Sequence, residues 1–408
     1  MPELAGTPDK DQPSLRCIYC GEGGPFNDEH VFPAGLGGDD AYLLTDLVCF
    51  ECNTTRFSQL EERFMRSSPV AFPRVFLQEH GRGKGKRAST PTIHANFKIL
   101  LDPTSNLGLD VEVRTGGLPI ILFQMLFSDA GIKLAGNDQV GFQDFYNALD
   151  NVLVDTLQVV EKIGKAKAAR FKVTPFSWNG GTYIQHEETL VTKLPANAIW
   201  RTSFPEDGHA YCPRLFQRLE GELLLRVHDA DNIGSLLGLA RKCLPGAKGT
   251  AAIDTPVTGP SLHVDLAMDF ASYPRVVAKI GMNLAAHVFG DAMIRDTAFE
   301  DLKRAILTGQ PSPQLEPQVQ SNRYQPIFAS VPPRFHVMAL AAHPIGDGRC
   351  VLVFMLRLYG GPIHTLALSR NAPVPDAELP VFFTVDYNDH RMHRFDARTF
   401  YDAFPSVF

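Results

Sequence analysis

The stretch CIYCGEGGPFNDEHVFPAGLGG, residues 17–38, followed by LVCFECNTTRF, residues 47–57, decides how the rest of the chain is read. Cys17, Cys20, Cys49 and Cys52 form two C-x-x-C pairs. Residues at i and i+3 of a tight knuckle aim two thiolates at one ion, and Gly21 supplies a permissive backbone after the first pair. Two such knuckles complete a tetrahedral sulfur shell suited to zinc. Protein fills all four positions of that shell, so the zinc would staple the fold and leave no open position for a substrate.

Composition limits what can surround this module. The chain has 408 residues, 44% hydrophobic and 21% charged, as in ordinary globular proteins, and is long enough for a minor and a major folding unit. Its formal net charge of -6 and pI of about 6.1 exclude a polycation that binds nucleic acid over its whole surface, so any basic contact must be local. Seven cysteines, four of them in the C-x-x-C pairs, and no stretch shaped like a cleavable signal point to metal thiolates in a reducing cytoplasm rather than to a disulfide framework. The most apolar run, LPIILFQMLF at 118–127, is far too short for a membrane span and reads as core.

Outward from the cysteines, residues 1–13 are polar and aperiodic and read as a disordered tail. The zinc module runs from 14 to 68 and ends in a helix that starts at Asn53, buries Phe57, Leu60 and Phe64, and stops at Ser67-Ser68-Pro69. Residues 69–117 form a connection in which a glycine-spaced basic run (Arg82, Lys84, Lys86, Arg87) precedes two strands. Residues 118–408 are expected as one larger α+β domain. Within it a helix with apolar positions Phe145, Leu149, Val152, Leu153 and Val160 is expected, then helices over 272–290 and 297–309, the last capped by Thr297 and Gly309. A long loop over 310–333 and an antiparallel meander of four C-terminal strands complete it.

The loop between the knuckles holds Asp28, Glu29, His30, Pro33, Gly37 and Gly38, and Asn53 directly follows the last cysteine. This order resembles the HNH endonucleases, in particular the subfamily with the pattern C-x-x-C, Glu-His-x-x-Pro, Gly-Gly, C-x-x-C-Asn. All these positions match between Cys17 and Asn53, about a tenth of the chain. The resemblance implies a zinc-stapled ββα-metal fold at the N-terminus and hydrolysis of phosphodiester bonds in DNA. In this pattern His30 would be the general base, since an imidazole accepts a proton near neutral pH. Glu29 and Asn53 would hold a catalytic divalent ion, Mg²⁺ or Mn²⁺, with Asp28 as a substitute ligand or as the partner that orients His30. Many family members orient the base with a middle Asn; here that segment reads Leu44-Thr45-Asp46-Leu47, which leaves the orientation of His30 open.

Arg56 and the run Arg82, Lys84, Lys86 and Arg87 are the expected phosphate contacts, which give affinity without sequence preference. The larger domain would position DNA, pair two copies as a homodimer so that both strands are cut, or sense a signal that licenses cleavage; restriction or phage defence is the family's usual setting. The alternative is a catalytically silent zinc module that serves as a nucleic-acid or protein adaptor. An RNA-directed nuclease differs only in substrate, and the chain has no RNA-recognition signature. Asp386, Asp389, His390 and His393 read as a charged loop, and Lys279 sits in a helix whose spacing says core.

Overall fold

The computed structural model describes residues 15–83, 89–95, 97–103, 107–129, 131–163, 170–205, 209, 211–250, 253, 259–316 and 324–405. The chain divides into two units, and the division differs from the one expected. Met1–His94, Thr115–Gly117 and Ala267–Phe408 form the first, and Ala95–Arg114 with Leu118–Leu266 form the second. The C-terminal 140 or so residues therefore belong with the cysteine module rather than with the central segment. The physical reason is a shared core, in which Phe32, Phe57, Leu60 and Phe64 cluster with Val276, Ile280, Leu284, Phe354 and Phe383.

In the first unit a two-stranded antiparallel hairpin pairs Glu29 with Leu44 and His30 with Leu43. A π-helical segment, Glu51–Phe57, then runs into the α-helix Ser58–Ser67, so the expected helix starts two residues earlier and in a wider coil, and ends where the Ser-Ser-Pro sequence stops it. The long helix Ser272–Phe289 is buried without interruption from Val276 to Ala286. A helix apolar on all sides must lie between two layers, and here the module covers one side and a five-stranded sheet the other. At Gly281 a Cβ would stand 2.7 Å from the Phe354 ring, which is how closely helix and sheet approach. That sheet is antiparallel, in the order Ile363–Pro373, Arg349–Arg357, Phe335–Gly346, Val381–Asp386, Arg391–Phe395. Only its first three strands follow one another as a meander; the chain then crosses to the opposite side of Phe335–Gly346, where Val381–Asp386 pairs.

Two helix expectations change in detail. Thr297–Phe299 is a 3₁₀ turn capped by Asp296, whose side chain accepts from the Ala298 amide, in place of Thr297; Gly309 closes the following helix in the left-handed conformation as expected. The 310–333 segment contains a short helix, Gln325–Ala329, that buries Phe328 fully.

The second unit holds a nine-stranded mixed sheet and a four-stranded antiparallel one. The helix Gln139–Val152 ends before Val160, which lies on the strand Thr156–Ile163: the β-branched run TLQVVEKI pairs with strands on both sides, and pairing overrides the helical period. Arg214 and Arg226 face each other directly across two strands of this sheet, both buried, with Asp110 between them. No helix among the described residues is long and apolar enough to cross a membrane.

Candidate functional site

The first knuckle is closed by backbone hydrogen bonds from the Cys17 amide to Glu22 and from the Gly21 amide to Cys17, with Gly21 at φ 75°. The Ile18 amide bonds to Leu47, which brings the second knuckle alongside. The four cysteine sulfurs all lie within 4.8 Å of one another, with Cys20 and Cys49 at 3.6 Å. A tetrahedron of zinc–sulfur bonds about 2.3 Å long has edges of about 3.8 Å, so the group can hold a metal such as zinc. The crowding also shows in the thiols. Hydrogen bonding to Cys52 pulls the Cys17 thiol down to about 4, and the same contact drives the Cys52 thiol above its ordinary range. Among the described residues this is the one cluster of three or more His, Cys, Asp or Glu side chains with metal-ligand spacing.

Beyond the knuckle the chain runs as an extended strand, in which successive side chains point to opposite faces. Asp28 is exposed, Glu29 is 4% exposed, and the His30 side chain is 22% exposed. Alternation therefore places Asp28 and His30 outward and Glu29 inward. His30 Nε2 lies 3.0 Å from the Asp40 carboxylate. An ionised carboxylate only accepts, so Nε2 is the ring nitrogen that donates. Asp40 is thus the side chain that meets the His30 ring, in a segment without the middle Asn of the family pattern.

Gly37 and Gly38 make that approach possible. Gly37 sits at φ 93°, and a Cβ there would fall 2.4 Å from the Tyr387 backbone; at Gly38 it would fall 2.0 Å from the Phe32 carbonyl oxygen. Asp39 then fastens the returning loop, accepting from the Ala41 and Met392 amides at 3.0 Å each.

Asn53 Nδ2 donates to the Asp28 carbonyl at 2.9 Å, tying the start of the helix to the strand that carries His30. Arg56 is exposed and lies 3.7 Å from Glu51. Arg82 is exposed, while Lys84, Lys86 and Arg87 lie outside the described residues, as does the N-terminal tail.

Glu29 departs from its expected place among the metal ligands. Its carboxylate is paired with the ammonium of Lys279, which also lies 2.5 Å from Glu61 and stands over the Phe57 ring. Lys279 is 1% exposed, so it reads as core, and its charge is met inside the protein. Burial works against that charge, but Glu29 and Glu61 hold the ammonium above the ordinary lysine range; burial also pushes the Glu29 carboxyl up. Asn283, one turn on, donates from Nδ2 to Glu29 at 3.1 Å and to the His30 carbonyl at 3.0 Å, and accepts from the Tyr19 hydroxyl at 2.6 Å.

Tyr19, Asp40, Glu61 and Asn283 were not among the residues marked in the sequence. The one local signal is a Lys and an Asn four apart, on one face of a run, 276–286, that is otherwise apolar. Only the middle of the stretch read as a charged loop is a turn: Asp386, buried and paired with Arg334, ends the strand Val381–Asp386 and accepts from the Asn388 and Asp389 amides at 3.2 Å, while His393 lies on the strand Arg391–Phe395, opposite Thr384. No family model, no curated protein and no solved structure matches the chain significantly.

Proposed function

We propose that the N-terminal module is a metal-dependent endonuclease of the HNH type that hydrolyses phosphodiester bonds in DNA, with His30 as the general base. The observation that carries the reading is the His30–Asp40 pair on the exposed edge of a hairpin stapled by four cysteines. With Nε2–H given to Asp40, Nδ1 would be the nitrogen that takes the proton of the attacking water. Asp28 and Asn53 would hold the divalent ion, since Glu29 is committed to Lys279; hard ions of this kind take one or two protein oxygens and keep waters and substrate phosphates as the rest of their shell. Bound there, the ion would offset negative charge on the phosphate and leaving oxygens. Arg56 and Arg82, both exposed, would contact the phosphate backbone without sequence readout.

The test is plasmid nicking by the wild type and His30→Ala at matched zinc content, with Mg²⁺, with Mn²⁺ and with EDTA. Nicking by the wild type with added metal, lost in a folded and zinc-loaded His30→Ala, supports the reading. Equal cutting by both proteins removes His30 as base.

A second reading, a silent zinc module that acts as an adaptor, is favoured by the buried Glu29–Lys279 pair, which spends a family ligand on packing. An adaptor would bind DNA equally well in chelator and nick nothing.

A further inference from the structure

The helix Ser272–Phe289 lies outside the cysteine module in sequence, yet it reaches the candidate base directly. Asn283 is fully buried, and its amide joins three points: the Glu29 carboxylate, the His30 carbonyl and the hydroxyl of Tyr19. Tyr19 lies between Cys17 and Cys20 in the first knuckle. The orientation of the amide is fixed by its partners. A carboxylate and a carbonyl can only accept, so the NH₂ faces Glu29 and His30, and the oxygen is left for the Tyr19 hydroxyl. Lys279, one turn earlier on the same face, donates to the same Glu29 oxygen, Oε1. The backbone of His30 is therefore referenced to the zinc knuckle through one side chain 253 residues away.

We infer that Asn283 is a positioning residue for His30, linking the zinc knuckle to the base so that the imidazole meets Asp40. This assignment rests on the nuclease reading for its catalytic meaning, but the link between Asn283 and the state of His30 is observable without catalysis. Loss of the amide frees the His30 carbonyl in a buried setting, leaves the Tyr19 hydroxyl only the Lys279 carbonyl at 3.4 Å, and lets the short strand shift. A displaced ring loses the Asp40 contact that holds the hydrogen on Nε2.

The experiment uses the full-length, zinc-loaded protein without added Mg²⁺ and reads the His30 tautomer from its ring-nitrogen chemical shifts at a pH where the ring is neutral. Nicking by the same samples is then measured with Mg²⁺. The wild type is expected to hold the Nε2–H form. Asn283→Ala is expected to mix the two tautomers and, where the wild type nicks, to lower kcat about tenfold to a hundredfold at unchanged KM. Val276→Ala, on the same helix and fully buried, is the control for packing loss alone and should leave the tautomer as in the wild type. If Asn283→Ala keeps the wild-type tautomer and kcat, and loses only stability as Val276→Ala does, the inference is overturned. Should Asn283→Ala fail to fold, Tyr19→Phe decides, because it removes the hydroxyl that donates to Asn283 and lies 3.4 Å from the Lys279 carbonyl, and keeps the ring packed on Phe57; an unchanged tautomer and kcat there overturns the inference. A wild type that nicks nothing while its His30 tautomer still depends on Asn283 would sink the nuclease reading and leave the positioning link standing.

Discussion

Lys279 and Glu29, 250 residues apart in sequence, form an ion pair in the interior of the first unit, with Glu61 as the second acid on the same ammonium. A carboxylate and an ammonium buried as Glu29 and Lys279 are stable only together, and Glu61 meets the ammonium from a partly exposed position. Lys279→Met strands Glu29 in an apolar setting and is expected to cost about 3–5 kcal/mol in urea unfolding. Adding Glu29→Leu to that variant should return much of the loss, which a double-mutant cycle would report as a coupling well above the scatter of independent sites.

The zinc site should be stoichiometric and structural. Metal analysis of the purified protein is expected to find one zinc per chain, and Cys52→Ser to lose it together with protection of the Glu29–His30 hairpin in hydrogen exchange. Three of the four cysteines are buried, so their thiolates depend on the ion rather than on water. His30→Ala, which leaves the sulfur shell alone, should keep its zinc.

Asp40→Asn replaces an acceptor-only partner with an amide that can present either group to the ring. The His30 tautomer preference should relax, and nicking should fall roughly tenfold or more. Asp40 is 77% exposed and holds no core together, so the melting temperature should change little.

Gly37→Ala tests the loop that brings Asp40 to His30. The added methyl meets the Tyr387 backbone at a φ of 93°, where any side chain is strained, so a loss of at least ~1–2 kcal/mol is expected in thermal unfolding. Nicking should fall further than stability alone explains, as the loop carrying Asp40 moves.

His336 sets an acid limit on stability. It is fully buried against Phe32 and Tyr359, accepts from the Tyr359 amide at Nδ1, and burial pulls it down from its ordinary value of 6.5 to about 3. A base whose folded pKa is depressed is neutral in the fold while the unfolded chain takes up a proton. Its contribution is therefore complete above the unfolded value near 6.5 and is lost as pH falls from there toward about 3. At pH 5 the loss should be about 2 kcal/mol relative to pH 8. His336→Gln should be less stable at pH 8 and flatter between pH 7 and 5, measured by urea unfolding across that range.

Much of this protein was legible in its residues because the deciding interactions are local. Two C-x-x-C pairs about thirty residues apart define a sulfur cluster whatever the rest of the chain does, and the cysteines do converge. The helix Ser58–Ser67 stops at Ser-Ser-Pro because the residue before proline disfavours the helical region. Four of the five C-terminal strands announce themselves by β-branched and aromatic runs between turn residues; the fifth, Arg391–Phe395, hides in a charged stretch.

Where competition was global, the residues misled. The TLQVVEKI run carries a helical period but is claimed by neighbouring strands, and the single domain expected from 118 to 408 is split because the helix Ser272–Phe289 finds its partners in the cysteine module. The same holds at the site. The sequence by itself determined that a thiolate cluster forms and that Asp28, Glu29 and His30 stand side by side on the strand entering the hairpin. Only the tertiary structure decided which of them faces out. A strand alternates its side chains, and the inward position was taken by Glu29 because a lysine and an asparagine from a distant helix satisfy it there, which leaves Asp28 and His30 to the surface and Asp40 to orient the ring.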